Sequence, residues 1–220
     1  PGITGRRPFP DPDIFAERLS SWGIDSSTQV VAYDAENGLM AAARVWFMLR
    51  WMGHDNVAVL DGGVKAWQAA DLPMSTEVPA PTSAVFVPQL REEMLATVDE
   101  VDAIRRDQDF CVFDSRSEEG YHGGGKYHDA VVGHIAGAGL ADRADVSSPQ
   151  GYFRPVEELR EHYAALVDDT PPQNVIFYCG SGVTAAQNVL AMTHAGLPGS
   201  RMYVGSWSEW ILDPAREIDL

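Results

Sequence analysis

Cys179 is the residue best placed to do chemistry. It follows the apolar run "VIFY" at 175–178 and precedes Gly180, Ser181, Gly182, Val183 and Thr184, with a helical pattern beyond. An apolar run of that length reads as a buried strand. At the carboxyl end of a parallel strand, where a loop opens a helix, backbone N–H groups converge and the helix N-terminus adds positive potential. A thiol at such a point is favoured as its thiolate, the nucleophilic form. Gly180 and Gly182 are expected to let the loop curl and aim its amides inward, and Ser181 and Thr184 add hydroxyls. Cys111, the second of the two cysteines, lies inside "DFCVFD" with no such loop and is expected to pack in the core.

Three chemistries use a thiolate in an amide cradle. Phosphate-ester hydrolysis wants an arginine after five intervening residues to clamp the phosphate, and Ala185 stands there. A thiol hydrolase needs a base beside the sulfur, and spacing places none of the six histidines there. The third is sulfur transfer: the thiolate takes a donor's outer sulfur as a persulfide, and the amides hold the charged terminal sulfur. It needs no metal and no organic cofactor.

The elements that position this cysteine occur twice. "VVAYDAENG" at 30–38 resembles "VIFYCGSGV" at 175–183, and each runs into a helical pattern, 39–53 and 183–196. Strands "NVAVL" and "RMYV" follow, then "DGGVKAW" and "GSWSEW". Asp34 to Gly62 is 28 residues and Cys179 to Gly205 is 26, a match in order and spacing that points to an internal repeat. Strand–helix–strand alternation implies parallel sheets with helices on their faces. Asp34 stands where Cys179 stands, so only the second copy can do thiol chemistry. That copy also has a front section: a strand at 110–116, a strand and turn at 131–138, and an amphipathic helix at 154–167 with Pro155 near its start. The strand at 110 precedes that at 175 by 65 residues, so its counterpart in the first copy would fall about 35 residues ahead of residue 1. The first domain is therefore expected to lack its N-terminal part. Residues 71–90 carry four prolines and read as an extended linker. Thr97 followed by Glu100 fits a capping box opening a helix over 97–106.

With 220 residues the chain can bury a sizeable core, and 45% hydrophobic with 22% charged residues is ordinary for a globular protein. The net charge of −16 argues against nucleic acid and anionic membranes as partners. No apolar run approaches a membrane span. The opening "PGITGRRPFPDPD" has no apolar signal region. Two cysteines make no disulfide framework, so a cytoplasmic location is expected.

Together "CGSGVTAA", "GSWSEW", "DGGVKAW", "ARVWFMLRWMGH", "DSR" and "GHIAGA" resemble the tandem-domain rhodanese family, and within it the 3-mercaptopyruvate and thiosulfate sulfurtransferases. The resemblance covers nearly the whole chain in the right order. It implies an α/β fold of two rhodanese-like domains, each a parallel sheet flanked by helices, with the active site at their interface. The expected boundaries are 1–76 for an incomplete, non-catalytic first domain, 77–94 for a linker, and 95–220 for the catalytic domain. By the same resemblance Cys179 is the persulfide nucleophile and Ser181 takes part in proton transfer. Gly180, Gly182, Val183 and Thr184 complete the substrate-binding loop, and Arg116 of "DSR" binds the donor's carboxylate. The implied partners are a small sulfur donor and a thiol acceptor, a thioredoxin-like protein among the candidates, or cyanide. His134 is expected to be structural, and Trp207 and Trp210 to pack around the loop. A loop without cations resembles the mercaptopyruvate type. Three positions depart from the family's pattern: Gly120 replaces a second carboxylate-binding arginine, Arg7 replaces a first-domain histidine, and Ala136 replaces a proline. Gly120 and Arg7 fit an alternative reading, a sulfur-carrier or regulatory module that turns small donors over weakly.

Overall fold

The apolar runs read as strands in both copies are strands in the computed structural model, which describes residues 5–35, 37–78, 80–124 and 129–220. The chain forms two compact units. One is Phe9–Glu92; the other is Glu93–Leu220, with residues 5–8 packed into it.

The first unit runs α1 (Pro12–Ser21), β1 (Val30–Ala32), α2 (Ala41–Trp51), β2 (Val57–Val59), α3 (Gly63–Ala69). Asp11 starts α1: its carboxylate accepts the N–H groups of Asp13 and Ile14, and Pro12 occupies the first turn, where no N–H is needed. β1 and β2 pair in parallel, Val30 opposite Val57. Leu19, Phe47, Leu49 and Met52 are buried beneath the helices. Among the described residues the proline-rich stretch 71–90 forms no helix or strand, yet its downstream half is not a free spacer. Phe86 is buried. The N–H groups of Ala84 and Gln89 donate to the carbonyls of Ser20 and Met52 at 3.0 and 2.9 Å.

The second unit runs β3 (Leu95–Ala96), α4 (Val98–Ile104), β4 (Cys111–Asp114), α5 (Glu118–Tyr121), β5 (His134–Ile135), β6 (Gly139–Leu140), α6 (Val156–Val167), β7 (Val175–Tyr178), α7 (Ala185–His194), β8 (Arg201–Tyr203), α8 (Ser206–Trp210) and β9 (Ile218–Asp219). Five strands form one sheet in the order β3-β8-β7-β4-β6, all parallel. β7 is its centre, with Val175 opposite Cys111 and Ile176 opposite Arg201. All four β7 residues are fully buried. This is why "VIFY" shows no polar alternation: a parallel strand covered on both faces needs none. Val101, Val112, Ile135, Ile176, Trp207 and Trp210 belong to the core packed on this sheet.

Thr97 caps α4 by accepting the Glu100 N–H at 3.2 Å. The reciprocal half of the expected capping box is absent. The Glu100 carboxylate reaches Arg201 on β8 instead, with Nη2 to Oε2 at 2.8 Å. Pro155 is the residue before α6 and not its first turn. Gly196 ends α7 in the left-handed conformation, φ 84°, as a helix-terminating glycine does. Among the described residues no helix is long and apolar enough to cross a membrane.

Candidate active site

Cys179 is the first residue beyond β7, at the carboxyl end of the central strand, and is 1% exposed. Two bonds fix its backbone. Its N–H donates to the Ser206 Oγ at 3.2 Å, and its carbonyl accepts the Trp207 N–H at 2.9 Å. The next carbonyl, Gly180, accepts the Ser208 N–H at 3.0 Å. The loop carrying the thiol is thus sewn to the start of α8, 27 to 28 residues further on.

Ser206 is the unforeseen member of this arrangement. It sits at φ 54° and is completely buried. That conformation costs a non-glycine residue of order 1–2 kcal/mol. Its hydroxyl is fully engaged, donating to the Tyr203 carbonyl at 2.9 Å while accepting from Cys179. Gly63 holds the equivalent place in the first copy at φ 58°, as a glycine. The signal was present as a serine where the other copy has glycine, but only the folded backbone reveals the strain.

The loop continues through Ser181 and Gly182, both buried, then Val183 and Thr184, both partly exposed. Gly182 has φ 69°, and a Cβ built on it would lie 2.2 Å from the Val204 carbonyl oxygen. Here the sequence demands glycine. Gly180 differs from expectation: it is not among the glycines with positive φ. A Cβ on it would meet only Arg6 Nη2, at 3.7 Å. The tight curl therefore comes from Gly182 alone. α7 starts at Ala185, and the N–H groups of Ala186 and Gln187 in its first turn donate to the Val183 and Thr184 carbonyls at 3.3 and 3.0 Å.

Arg116 is buried one strand away, just beyond β4. Its Nε and Nη2 donate to the Asp114 carboxylate at 2.9 and 2.6 Å, and Nη2 also donates to the Gly133 carbonyl at 2.6 Å. Its guanidinium lies over the Trp207 ring, 5.1 Å from the centroid. Trp207 thus touches both sides: its ring packs against Arg116, and its backbone holds Cys179. Its indole N–H donates to the Val131 carbonyl at 3.1 Å, and that of Trp210 to the Glu217 carbonyl at 3.1 Å. His134 is buried, stacked on Tyr121, with Nδ1 3.0 Å from the Tyr121 carbonyl, a structural setting. Tyr178, Tyr121 and Tyr203 are held above the usual phenol range by burial first, so they are neutral hydroxyls near neutral pH. Cys111 is half-buried, its Sγ 3.3 Å from the Thr170 hydroxyl.

The first copy answers the same geometry differently. Asp34 lies two residues beyond β1, and its carboxylate accepts the Gly38 N–H at 2.8 Å and the Ala42 N–H, at the start of α2, at 3.5 Å. The Asp34 carbonyl accepts the Val64 N–H at 3.2 Å, the counterpart of the Trp207 bond to Cys179.

A family profile described as a rhodanese-like domain matches residues 3–70 and 97–213. The chain belongs to the rhodanese family. It is 39% identical over 218 residues to a probable 3-mercaptopyruvate sulfurtransferase of Pseudomonas aeruginosa, covering 99% of this chain and 76% of the relative. It is 36% identical over 206 residues to the thiosulfate sulfurtransferase of Cricetulus griseus, covering 92% and 69%. The solved structure of the 3-mercaptopyruvate sulfurtransferase from Leishmania major superposes with a TM-score of 0.81 at 29% identity, over 96% of this chain and 58% of that one. The chain thus spans a little over half the length of that structure. The two matched segments correspond to the two copies of the repeat, and the α/β rhodanese fold with parallel sheets is the one described above. By homology this member of the family is a sulfurtransferase.

Proposed function

We propose that the chain transfers sulfur from 3-mercaptopyruvate or thiosulfate to a thiol or cyanide through a persulfide on Cys179. The observation that carries this reading is the placement of Cys179: buried, at the end of the central strand, at the head of a loop that Gly182 curls into the start of α7. The relatives named above support both donors.

The Cys179 thiolate attacks the donor's outer sulfur, and a new S–S bond forms. With thiosulfate the donor's own S–S bond breaks, and its electron pair leaves on sulfite. With 3-mercaptopyruvate the C–S bond breaks, the pair stays on carbon as an enolate, and a proton delivered there yields pyruvate. Ser181, buried two residues from the thiol, is the hydroxyl we assign to that proton transfer. The amides of the 180–184 loop hold the terminal persulfide sulfur, where donors aimed at a developing charge act most strongly. An acceptor thiol, on a small molecule or a thioredoxin-like protein, then attacks the outer sulfur and returns Cys179 as thiolate. Ser206 and Trp207 keep the cysteine backbone fixed throughout. No bond of theirs is remade.

A second reading, a sulfur carrier that turns small donors over weakly, is favoured by Arg116. Its bonds to Asp114 and Gly133 direct Nε and Nη2 into the protein, and Gly120 supplies no second guanidinium. Intact mass spectrometry after incubation with each donor separates the two. A gain of one sulfur atom that vanishes in Cys179→Ser, with multiple turnovers in the presence of an acceptor, supports the enzyme. Persulfide without turnover supports the carrier. No gain from either donor overturns both.

A further inference from the structure

If Arg116 is engaged inside the protein, a different cation is needed where an anionic donor meets Cys179. The chain carries a net charge of −16, so an incoming anion is repelled by its general field. One guanidinium does approach the thiol loop, and it comes from the far end of the sequence.

Residues 5 and 6 are fastened to the same turn that fastens Cys179. Gly5 lies against it so closely, at φ 67°, that a Cβ there would be 2.3 Å from the Gly205 carbonyl oxygen and 2.5 Å from Ser208 Oγ. The Arg6 N–H donates to Ser208 Oγ at 3.0 Å. That hydroxyl donates to the Gly205 carbonyl at 3.0 Å, and the Ser208 N–H donates to Gly180 at 3.0 Å. The backbone of Arg6 is therefore registered to the Cys179 loop through one intervening residue. Its side chain completes the approach. Among the described residues, leaving out the chain neighbours, Nη2 is the heavy atom within 4 Å of the Cβ position of Gly180, at 3.7 Å, while Nη1 forms an ion pair with the Asp129 carboxylate. Asp129 is 11% exposed and Arg6 37%, so the pair is anchored on one side and open to solvent on the other.

We propose that Arg6 is the donor-binding cation of the Cys179 loop, and that it sets the preference between a dianionic and a monoanionic sulfur donor. A fixed positive charge attracts thiosulfate, with two negative charges, more than the single carboxylate of 3-mercaptopyruvate at equal distance. Asp129 orients the guanidinium fork and offsets part of its charge, so the donor's anion shares Arg6 with it. The neutral loop that resembles the mercaptopyruvate type thus gains its cation from another segment. This inference rests on the persulfide reading above.

Steady-state kinetics with both donors on the full chain test it, with Arg6→Gln, Arg6→Lys and Asp129→Asn as variants. Arg6→Gln is expected to raise the KM for thiosulfate by about tenfold, the loss of one charge-assisted hydrogen bond. Its effect on the KM for 3-mercaptopyruvate is smaller, and kcat is little changed. Arg6→Lys recovers part of the thiosulfate KM, and Asp129→Asn lowers it. Unchanged KM values for both donors in Arg6→Gln overturn the proposal. So does an equal fall in kcat for both donors with a lowered Tm, which marks Arg6 as a structural anchor. Thiosulfate binding to Cys179→Ser, by calorimetry with and without Arg6→Gln, gives a readout independent of chemistry. If the wild-type chain forms no persulfide while this binding still depends on Arg6, the persulfide reading alone falls. If persulfide forms and neither KM nor binding responds to Arg6, only the present inference falls.

Discussion

The Ser206 hydroxyl accepts the backbone N–H of Cys179 at 3.2 Å, from a residue held at φ 54°. Strain and a hydrogen bond to the thiol's own backbone meet in one side chain. Ser206→Ala keeps the strain and loses the bond; Ser206→Gly loses both. The alanine variant should therefore be the less stable, by about 1 kcal/mol, the gap between alanine and glycine at positive φ. Both should be less stable than wild type and should take up sulfur more slowly, by about tenfold to a hundredfold, as small misplacements of a nucleophile do. Urea unfolding and time-resolved mass spectrometry measure the two effects. A glycine variant that reacts at the wild-type rate would exclude Ser206 as a positioning residue.

Gly182 admits no substitute. With φ 69° and a Cβ position 2.2 Å from the Val204 carbonyl, Gly182→Ala must shift the loop or the end of β8. We expect a loss of at least about 2 kcal/mol in stability and little persulfide formation. Gly180→Ala, with no positive φ and only Arg6 nearby, should fold normally. Comparing the unfolding midpoints of the pair tests the assignment.

The Arg116–Asp114 pair is buried on both sides, at 7% and 0% side-chain exposure. Removing one partner strands the other charge. Arg116→Ala should cost about 3–5 kcal/mol, visible as a large drop in the urea midpoint. If Arg116 also binds the donor's carboxylate, Arg116→Lys will raise the KM for 3-mercaptopyruvate beyond what its stability loss explains.

Glu209 opens a pH dependence. Burial raises its carboxyl above the ordinary value, Asp99 adds to the rise, and Tyr203 and Arg216 oppose it. A carboxyl raised on folding binds its proton more tightly in the folded chain, so its contribution is most favourable in acid and is lost as pH rises through the folded value. Glu209→Gln should therefore stabilise the chain relative to wild type near neutral pH, with the difference shrinking as pH falls through the carboxylate range. Tm measured across that range decides it. A constant difference would assign the effect to packing against Gly205.

The sequence announced the strands and the thiol loop for a physical reason. A parallel strand buried on both faces must be continuously apolar, so "VIFY" and "CVF" stand out, and a duplicated strand–helix–strand unit repeats its spacing. Pairings between distant segments leave no such trace. Glu100 looked like half of a capping box because local spacing is all a sequence displays, yet its carboxylate found Arg201 on a neighbouring element. Arg116 carries the same motif whether its guanidinium faces a donor or Asp114. Arg6 approaches Gly180 across most of the chain, and neither neighbourhood shows a pattern that points to the other. A glycine's presence alone does not mark a curl: of Gly180 and Gly182, Gly182 has a positive φ and Gly180 does not.

Asp34 gives the duplication its asymmetry. In the first copy the loop amides are already answered by a carboxylate from the chain itself, through Gly38 and Ala42. That copy keeps a permanent tenant and has nothing to exchange. In the second copy the Cys179 sulfur holds the same address, and in the proposed persulfide cycle the negative charge there arrives with a donor and departs with an acceptor. A carboxylate held by its own loop amides in one half of the molecule, and a thiol in the other, thus set the two copies apart at a single position of the repeat.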